Sequence, residues 1–143
     1  MTEAGSNTTH TARYNVVVVD DEALIAEYIA KIVEEVGTTD VHVYSDPTEV
    51  IGTWFKRLPD LLITDYQMPG MNGVELIEGF RAAHPTTPVP IIVVTADAQR
   101  ETRNAALAAG ASEFLRKPVD RDEVRIRVRN MLALREGQRA AER

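Results

Sequence analysis

The chain of 143 residues has the length of one domain with a sizeable core, and its hydrophobic fraction of 44% is ordinary for a globular protein. Cysteine is absent, which excludes disulfides and thiolate metal sites and suits a cytoplasmic protein, and no apolar run approaches the roughly 18 residues of a membrane span. No secretory pattern opens the chain, and a formal charge of -6 argues against nucleic-acid affinity for the main body, although seven arginines between Arg121 and Arg143 make the C-terminal end basic.

Residues 1–13 are rich in Thr, Ser and Asn and lack periodicity, which predicts a disordered leader. Strand 1 is expected over Asn15–Val19. Helix 1 follows from about Glu22 to Val36, with Leu24, Ile25, Tyr28, Ile29, Ile32 and Val36 at helical spacing and Gly37 as its stop. Val41–Tyr44 reads as strand 2. Asp46-Pro47-Thr48-Glu49 predicts a helix start, with Asp46 as cap, Pro47 at the first helical position and Glu49 closing an approximate capping box. Helix 2 then continues to about Arg57. Leu61–Thr64 is an apolar run that stops on Asp65 and reads as a strand buried on both faces. The turn residues Pro69-Gly70 and Asn72-Gly73 end it, and Asn72 is a good cap for helix 3, which fades before Pro85.

Ile91–Val94 is strand 4 and ends on Thr95. Helix 4 covers about Gln99–Ala109 with Gly110 as its stop, and Ser112–Leu115 is a short strand 5 leading to Lys117-Pro118. In the last segment Val124–Arg129 alternates with period two, as a strand does. Asp120-Arg121-Asp122-Glu123 nevertheless resembles a capped helix start, and Val124, Val128, Met131 and Leu132 recur at helical intervals. A helix is therefore expected. Five βα units predict an α/β fold with a five-stranded parallel sheet covered by helices on both faces. The stripe Val128, Met131, Leu132 and Arg135 runs beyond what one such domain must cover, which predicts a partner helix, by default in a symmetric dimer.

Strands 1, 3 and 4 deliver Asp20-Asp21, Asp65 and Thr95 to their carboxyl ends, where open α/β sheets hold their ligands. Taken singly, each except Asp65 has a plain structural role as a cap or a solvated residue; with strands 1, 3 and 4 adjacent, together they define a site. Two carboxylates about 4 Å apart repel by roughly 4 kcal/mol at an effective dielectric near 20, so the cluster either takes up protons or binds a cation. Hard oxygen ligands without histidine or cysteine point to Mg²⁺. A carboxylate beside Mg²⁺ is a candidate nucleophile toward phosphorus, with Thr95 as a donor to phosphoryl oxygens and Lys117 as the remaining positive charge.

Val19-Asp20-Asp21-Glu22, Thr64-Asp65-Tyr66-Gln67-Met68-Pro69-Gly70-Met71-Asn72-Gly73, Val94-Thr95-Ala96 and Lys117-Pro118 resemble the receiver domain of bacterial two-component response regulators, over about Tyr14 to Met131. The resemblance implies a flavodoxin-like sheet of order 2-1-3-4-5 and a phosphorylation-dependent switch, not a turnover enzyme. It makes Asp65 the phosphoacceptor of a sensor histidine kinase or phosphotransfer protein. Asp20, Asp21, Asp65 and the backbone carbonyl of Gln67 would hold Mg²⁺, Thr95 and Lys117 would hold the phosphoryl group, and Lys117–Pro118 would be cis. Phe114 falls at the switch aromatic, where it can only bury or expose a ring, and Gln67 and Asp97 fall at positions that tune acyl-phosphate hydrolysis. Asn72 replaces a more usual Asp and keeps the cap.

The same likeness divides the chain into a leader (1–13), a receiver (14–131) and an extension of the last helix (132–143) that reads as a linker. A homodimer is expected through the helix 4–strand 5–helix 5 face or the C-terminal helix, and the output domain or target is not named by the sequence. Three other readings are weaker. A dehalogenase-type phosphatase wants an acid two residues after the nucleophile, where Gln67 stands. A flavin carrier would not place Asp20-Asp21-Glu22 against a phosphate. A pseudo-receiver would lack some of the five site residues, and all are present.

Overall fold

A computed structural model describes residues 13–97 and 99–143. The expected leader, apart from Arg13, lies outside the described residues. Ten elements alternate along the chain: β1 (Tyr14–Val19), α1 (Ala23–Val36), β2 (Thr39–Tyr44), α2 (Pro47–Trp54), β3 (Leu61–Asp65), α3 (Gly73–Ala83), β4 (Ile91–Thr95), α4 (Arg100–Ala109), β5 (Glu113–Arg116) and α5 (Arg121–Glu142). All strand pairings are parallel, in the order β2-β1-β3-β4-β5. This is the flavodoxin-like arrangement expected from the resemblance.

The alternation of side chains along each strand divides the core in two. Val17, Val19, Leu62 and Val93 face α2, α3 and α4, where Trp54, Leu76, Ile77 and Phe80 are buried. Val16, Val18, Ile63, Val94 and Leu115 face α1 and α5 and meet Ile29, Ile32, Val124, Val128 and Leu132. Each fully buried aliphatic side chain of this kind contributes about 1.5–3 kcal/mol, so both faces hold the sheet firmly.

Several details differ from the sequence reading. β2 starts at Thr39, not Val41, because it pairs with β1 from Tyr14 onward and the Thr39 hydroxyl donates to Val33 O. α2 ends at Trp54, where Phe55 and Lys56 both turn back onto Thr53 O. Its start has no full capping box: Asp46 Oδ1 accepts from the amide and the hydroxyl of Thr48 instead of from Glu49. The reciprocal box belongs to α3, where Glu75 N–H donates to Asn72 Oδ1 and Asn72 N–H donates to Glu75 Oε1. β5 is displaced by one residue, to Glu113–Arg116.

The last segment is helical, as expected, and its period-two stretch is incidental: Val124 and Val128 are buried while Ile126 is exposed. The stripe that suggested a partner helix is covered by the chain itself. Val128 and Leu132 pack in the α1 cluster, and Arg135 is buried on Asp60, just before β3. Six of the seven C-terminal arginines pair with acids of this chain, so the basic end is largely neutralised at home.

Candidate functional site

Parallel strands end at a common edge, and the order of this sheet brings β1, β3 and β4 side by side. Val19 lies in register with Thr64, and Asp65 with Val94, so Asp20, Asp65 and Thr95 converge at that edge. Lys117 joins them because its amide donates to Thr95 O at 2.9 Å, and the following Lys117–Pro118 peptide is cis. Asp20, Asp65 and Thr95 are buried, while Asp21 and Glu22 are exposed. A pocket of about 380 Å³ opens above them, lined among others by Asp21, Asp65, Gln67, Thr95, Asp97 and Lys117.

The site depends on a glycine. At Gly73, the first residue of α3, a Cβ would lie 2.6 Å from the Asp65 carbonyl oxygen, and the Gly73 amide donates to Tyr66 O at 2.7 Å. Only a residue without a side chain lets α3 approach the end of β3 this closely.

One carboxylate oxygen from each of Asp20, Asp21 and Asp65 can lie within 4.8 Å of the others. The set suits a hard divalent cation with oxygen ligands. Burial, then the neighbouring Asp20 charge, push the Asp65 carboxyl up to about 6 against the opposing pull of Lys117. Asp20 Oδ2 is buried and lies 3.1 Å from Lys117 Nζ as an ion pair, without the angular geometry of a hydrogen bond. Both features are those of a site with excess negative charge and room for a cation.

Lys117 Nζ also reaches Glu22 Oε1 at 3.0 Å and Asp65 Oδ2 at 3.4 Å. Burial pulls its pKa down, but contacts with Glu22 and Asp20 and the Asp65 charge outweigh this and hold it above the ordinary value. Glu22 is the contact that sequence reasoning did not assign. Its position beside the acid pair was visible, but its reach across to a residue 95 positions away was not.

Thr95 Oγ1 accepts from the Asp97 amide at 3.0 Å. The Asp97 carboxylate is itself engaged, accepting from Gln99 N–H at 2.9 Å and from Thr102 Oγ1 at 2.6 Å, and these bonds, Thr102 first, hold its pKa below the usual range. Phe114 is half-buried at the edge of the core, with the Arg103 guanidinium 5.4 Å from its ring centroid. It is therefore not among the residues gathered around Asp65, but it stands on β5, three residues from Lys117 and in register with Val93. Gln67 lines the pocket.

Comparison with known proteins agrees with this geometry. The family described as the response regulator receiver domain matches residues 16–129. The cyclic di-GMP phosphodiesterase response regulator RpfG of Xanthomonas campestris is 34% identical over 123 residues, covering 85% of this chain and 32% of that protein. The phosphate regulon transcriptional regulatory protein PhoB of Rhizobium meliloti is 35% identical over 118 residues, covering 82% of this chain and 51% of that one. This chain thus spans about half or less of the length of these two relatives. Among solved structures, a putative response regulator from Chloroflexus aurantiacus superposes with a TM-score of 0.77 at 31% identity, covering 85% of this chain and 99% of the other. A CheY-like receiver domain protein from Methanospirillum hungatei gives a TM-score of 0.79 at 25% identity, covering 88% and 98%. An acid pair, a strand-end aspartate, a threonine and a lysine meeting on a 2-1-3-4-5 sheet, together with a family match over most of its length, place this chain in the response regulator receiver domain family.

Proposed function

We propose that this chain is a phosphorylation-dependent signalling switch in which Asp65 accepts a phosphoryl group from a sensor histidine kinase or phosphotransfer protein, in an Mg²⁺-dependent reaction. The observation that carries the reading is the placement of the Asp65 carboxylate, buried at the end of β3 with Lys117 Nζ 3.4 Å away and two further aspartates within 4.8 Å. An oxygen of Asp65 attacks phosphorus, the bond from phosphorus to the leaving atom breaks, and the leaving atom keeps the electron pair. The product is an acyl phosphate. Asp20, Asp21, Asp65 and the backbone carbonyl of Gln67 would hold the cation. When bound, Mg²⁺ supplies charge neutralisation on the transferring group. Thr95 and Lys117 hold the phosphoryl oxygens, and burial keeps competing water away from all but the open face of the pocket.

The chain acts as a switch and not as a turnover enzyme, since Gln67, two residues after Asp65, offers no acid–base group. Gln67 and Asp97 set how long the acyl phosphate lasts. Thr95 and Phe114 carry the change outward, and α4, β5 and α5 form the face through which copies dimerise. Residues 14–131 serve as the receiver, and 132–143 extend its last helix, which stays seated on the same body through Leu132 and Arg135 and leads toward an output domain or a separate target. The cytoplasm is the compartment that fits such donors. No described helix is long and apolar enough to cross a membrane.

Acetyl phosphate with Mg²⁺ should add one phosphoryl group, labile to hydroxylamine, that is lost in Asp65→Asn. Mass spectrometry that finds a stable label on another residue overturns the reading.

A further inference from the structure

Lys117 has more carboxylates than its reaction needs. An ammonium has three N–H donors, and Glu22 at 3.0 Å, Asp20 at 3.1 Å and Asp65 at 3.4 Å all face it. Of the three, only Glu22 accepts a hydrogen bond from Nζ, so a phosphoryl oxygen on Asp65 meets a lysine with one donor already held by Glu22. Asp20 and Asp65 belong to the proposed cation ligands, but Glu22 does not.

Glu22 is also not occupied in holding up its helix. It stands at the N-cap of α1, yet its side chain makes no capping hydrogen bond. Its backbone is fixed instead, because its amide donates to Asp20 Oδ1 at 2.9 Å. With the backbone pinned, the free carboxylate reaches over the mouth of the pocket to Lys117, remaining 60% exposed while the lysine is 12% exposed. Glu22 is thus an exposed anion lining the pocket that an anionic phosphodonor enters to reach Asp65.

Resting on the proposed phosphoryl transfer, we infer that Glu22 is a positioning residue that holds Lys117 at the mouth of the pocket and is exchanged for a phosphoryl oxygen as Asp65 is modified. The exchange moves no proton: the Lys117 ammonium leaves one carboxylate for one oxygen of the acyl phosphate, while the donor's leaving group departs with its electron pair. Glu22 therefore slows modification by small anionic donors in two ways, by repelling the donor and by retaining the lysine.

The test compares wild type with Glu22→Gln, which keeps the size and removes the charge, and with Leu24→Ala, exposed in the first turn of α1, as a control for local disturbance. With acetyl phosphate and Mg²⁺, Glu22→Gln should be labelled about three- to tenfold faster at low ionic strength, and the difference should shrink as salt is raised. Leu24→Ala should match wild type. A second measurement needs neither metal nor donor: side-chain NMR relaxation of Lys117 should report greater motion in Glu22→Gln than in wild type. Equal labelling rates at all salt concentrations, or an unchanged Lys117 side chain, overturn the role of Glu22 while leaving Asp65 as acceptor. Absence of label in every protein overturns the phosphoryl-transfer reading and this inference with it.

Discussion

Arg135 donates from Nε to Asp60 Oδ1 at 2.8 Å, and both side chains are buried. The pair fastens the far end of α5 to the start of the strand whose other end carries Asp65. Asp60 Oδ2 accepts from the Asn15 amide at 2.8 Å, and Arg139 stands 3.5 Å from Oδ1, so the carboxylate is satisfied from three sides. Around it, the Tyr14 hydroxyl donates to Glu136 and Gln138 donates to Pro88 O. The last turns of α5 are therefore seated on the body of the domain.

Removing one partner of a buried pair leaves a charge without compensation, whereas replacing both can be nearly neutral. Arg135→Met should destabilise by about 3 kcal/mol, near the lower end of that range because Arg139 remains. Asp60→Asn combined with Arg135→Met should recover most of the loss, since the asparagine oxygen can still accept from Asn15. Denaturant unfolding measures both. Hydrogen exchange should also rise over residues 133–142 in the single variant; unchanged protection there would mean that the pair does not anchor the helix.

Asp65 gives a pH dependence with a definite sign. Its folded pKa, about 6, is raised above the ordinary 3.8. In metal-free protein the favourable contribution is fully present below about pH 4 and is lost as pH rises through 6. Mg²⁺ competes with that proton, so its affinity should fall by about tenfold per pH unit below 6. At one hundred times its dissociation constant Mg²⁺ stabilises by about 2.7 kcal/mol, which should raise the melting temperature by roughly 8 °C at pH 8 and much less at pH 5. Asp65→Asn should lose this pH dependence, and Asp21→Asn should weaken the Mg²⁺ effect. Identical melting with and without Mg²⁺ at pH 8 would remove the cation site.

Two glycine substitutions should move stability in opposite directions. Gly73→Ala places a methyl group 2.6 Å from the Asp65 carbonyl oxygen, so α3 or the end of β3 must shift, and phosphoryl labelling should fall along with stability by about 1–3 kcal/mol. Gly137→Ala meets nothing within 4 Å and lies inside α5, so it should stabilise by about 0.5–1 kcal/mol. Thermal melts of the two variants, side by side, distinguish a glycine needed for close approach from one that only weakens a helix.

What could be read in advance follows from how local each determinant is. Leu61–Thr64 and Ile91–Val94 announced themselves because a strand buried on both faces is apolar without interruption. The gathering of Asp20, Asp65, Thr95 and Lys117 followed from strand ends together with the strand order that the resemblance implied. The start of β2 was hidden because Thr39 and Asp40 are polar and enter the sheet only by pairing with Tyr14 and Asn15. Arg135 read as part of a stripe awaiting a partner helix, because its acid lies 75 residues away and no periodicity connects them. The Glu22–Lys117 contact was concealed in the same way.

The last prediction concerns how the site communicates with α4 and β5. In the structure Thr95 Oγ1 accepts from the Asp97 amide, and Asp97 holds the first turn of α4 through Gln99 and Thr102. If the Thr95 side chain rotates to carry its hydroxyl to a phosphoryl group on Asp65, the oxygen leaves the Asp97 amide, which should then lose protection when a beryllofluoride adduct forms. The space left behind Thr95 lies next to Phe114, which is half-buried and held at the surface side by Arg103. Phe114 should therefore move inward and leave the guanidinium. Fluorine NMR of a labelled Phe114 and amide exchange at Asp97 should change together on addition of beryllofluoride and Mg²⁺. In Thr95→Ala the adduct should still form on Asp65, because the nucleophile and Lys117 are intact, but both signals should stay at their resting values. If Phe114 shifts as fully in Thr95→Ala as in wild type, the threonine hydroxyl does not carry the signal, and another connection between β3 and β5 must be sought.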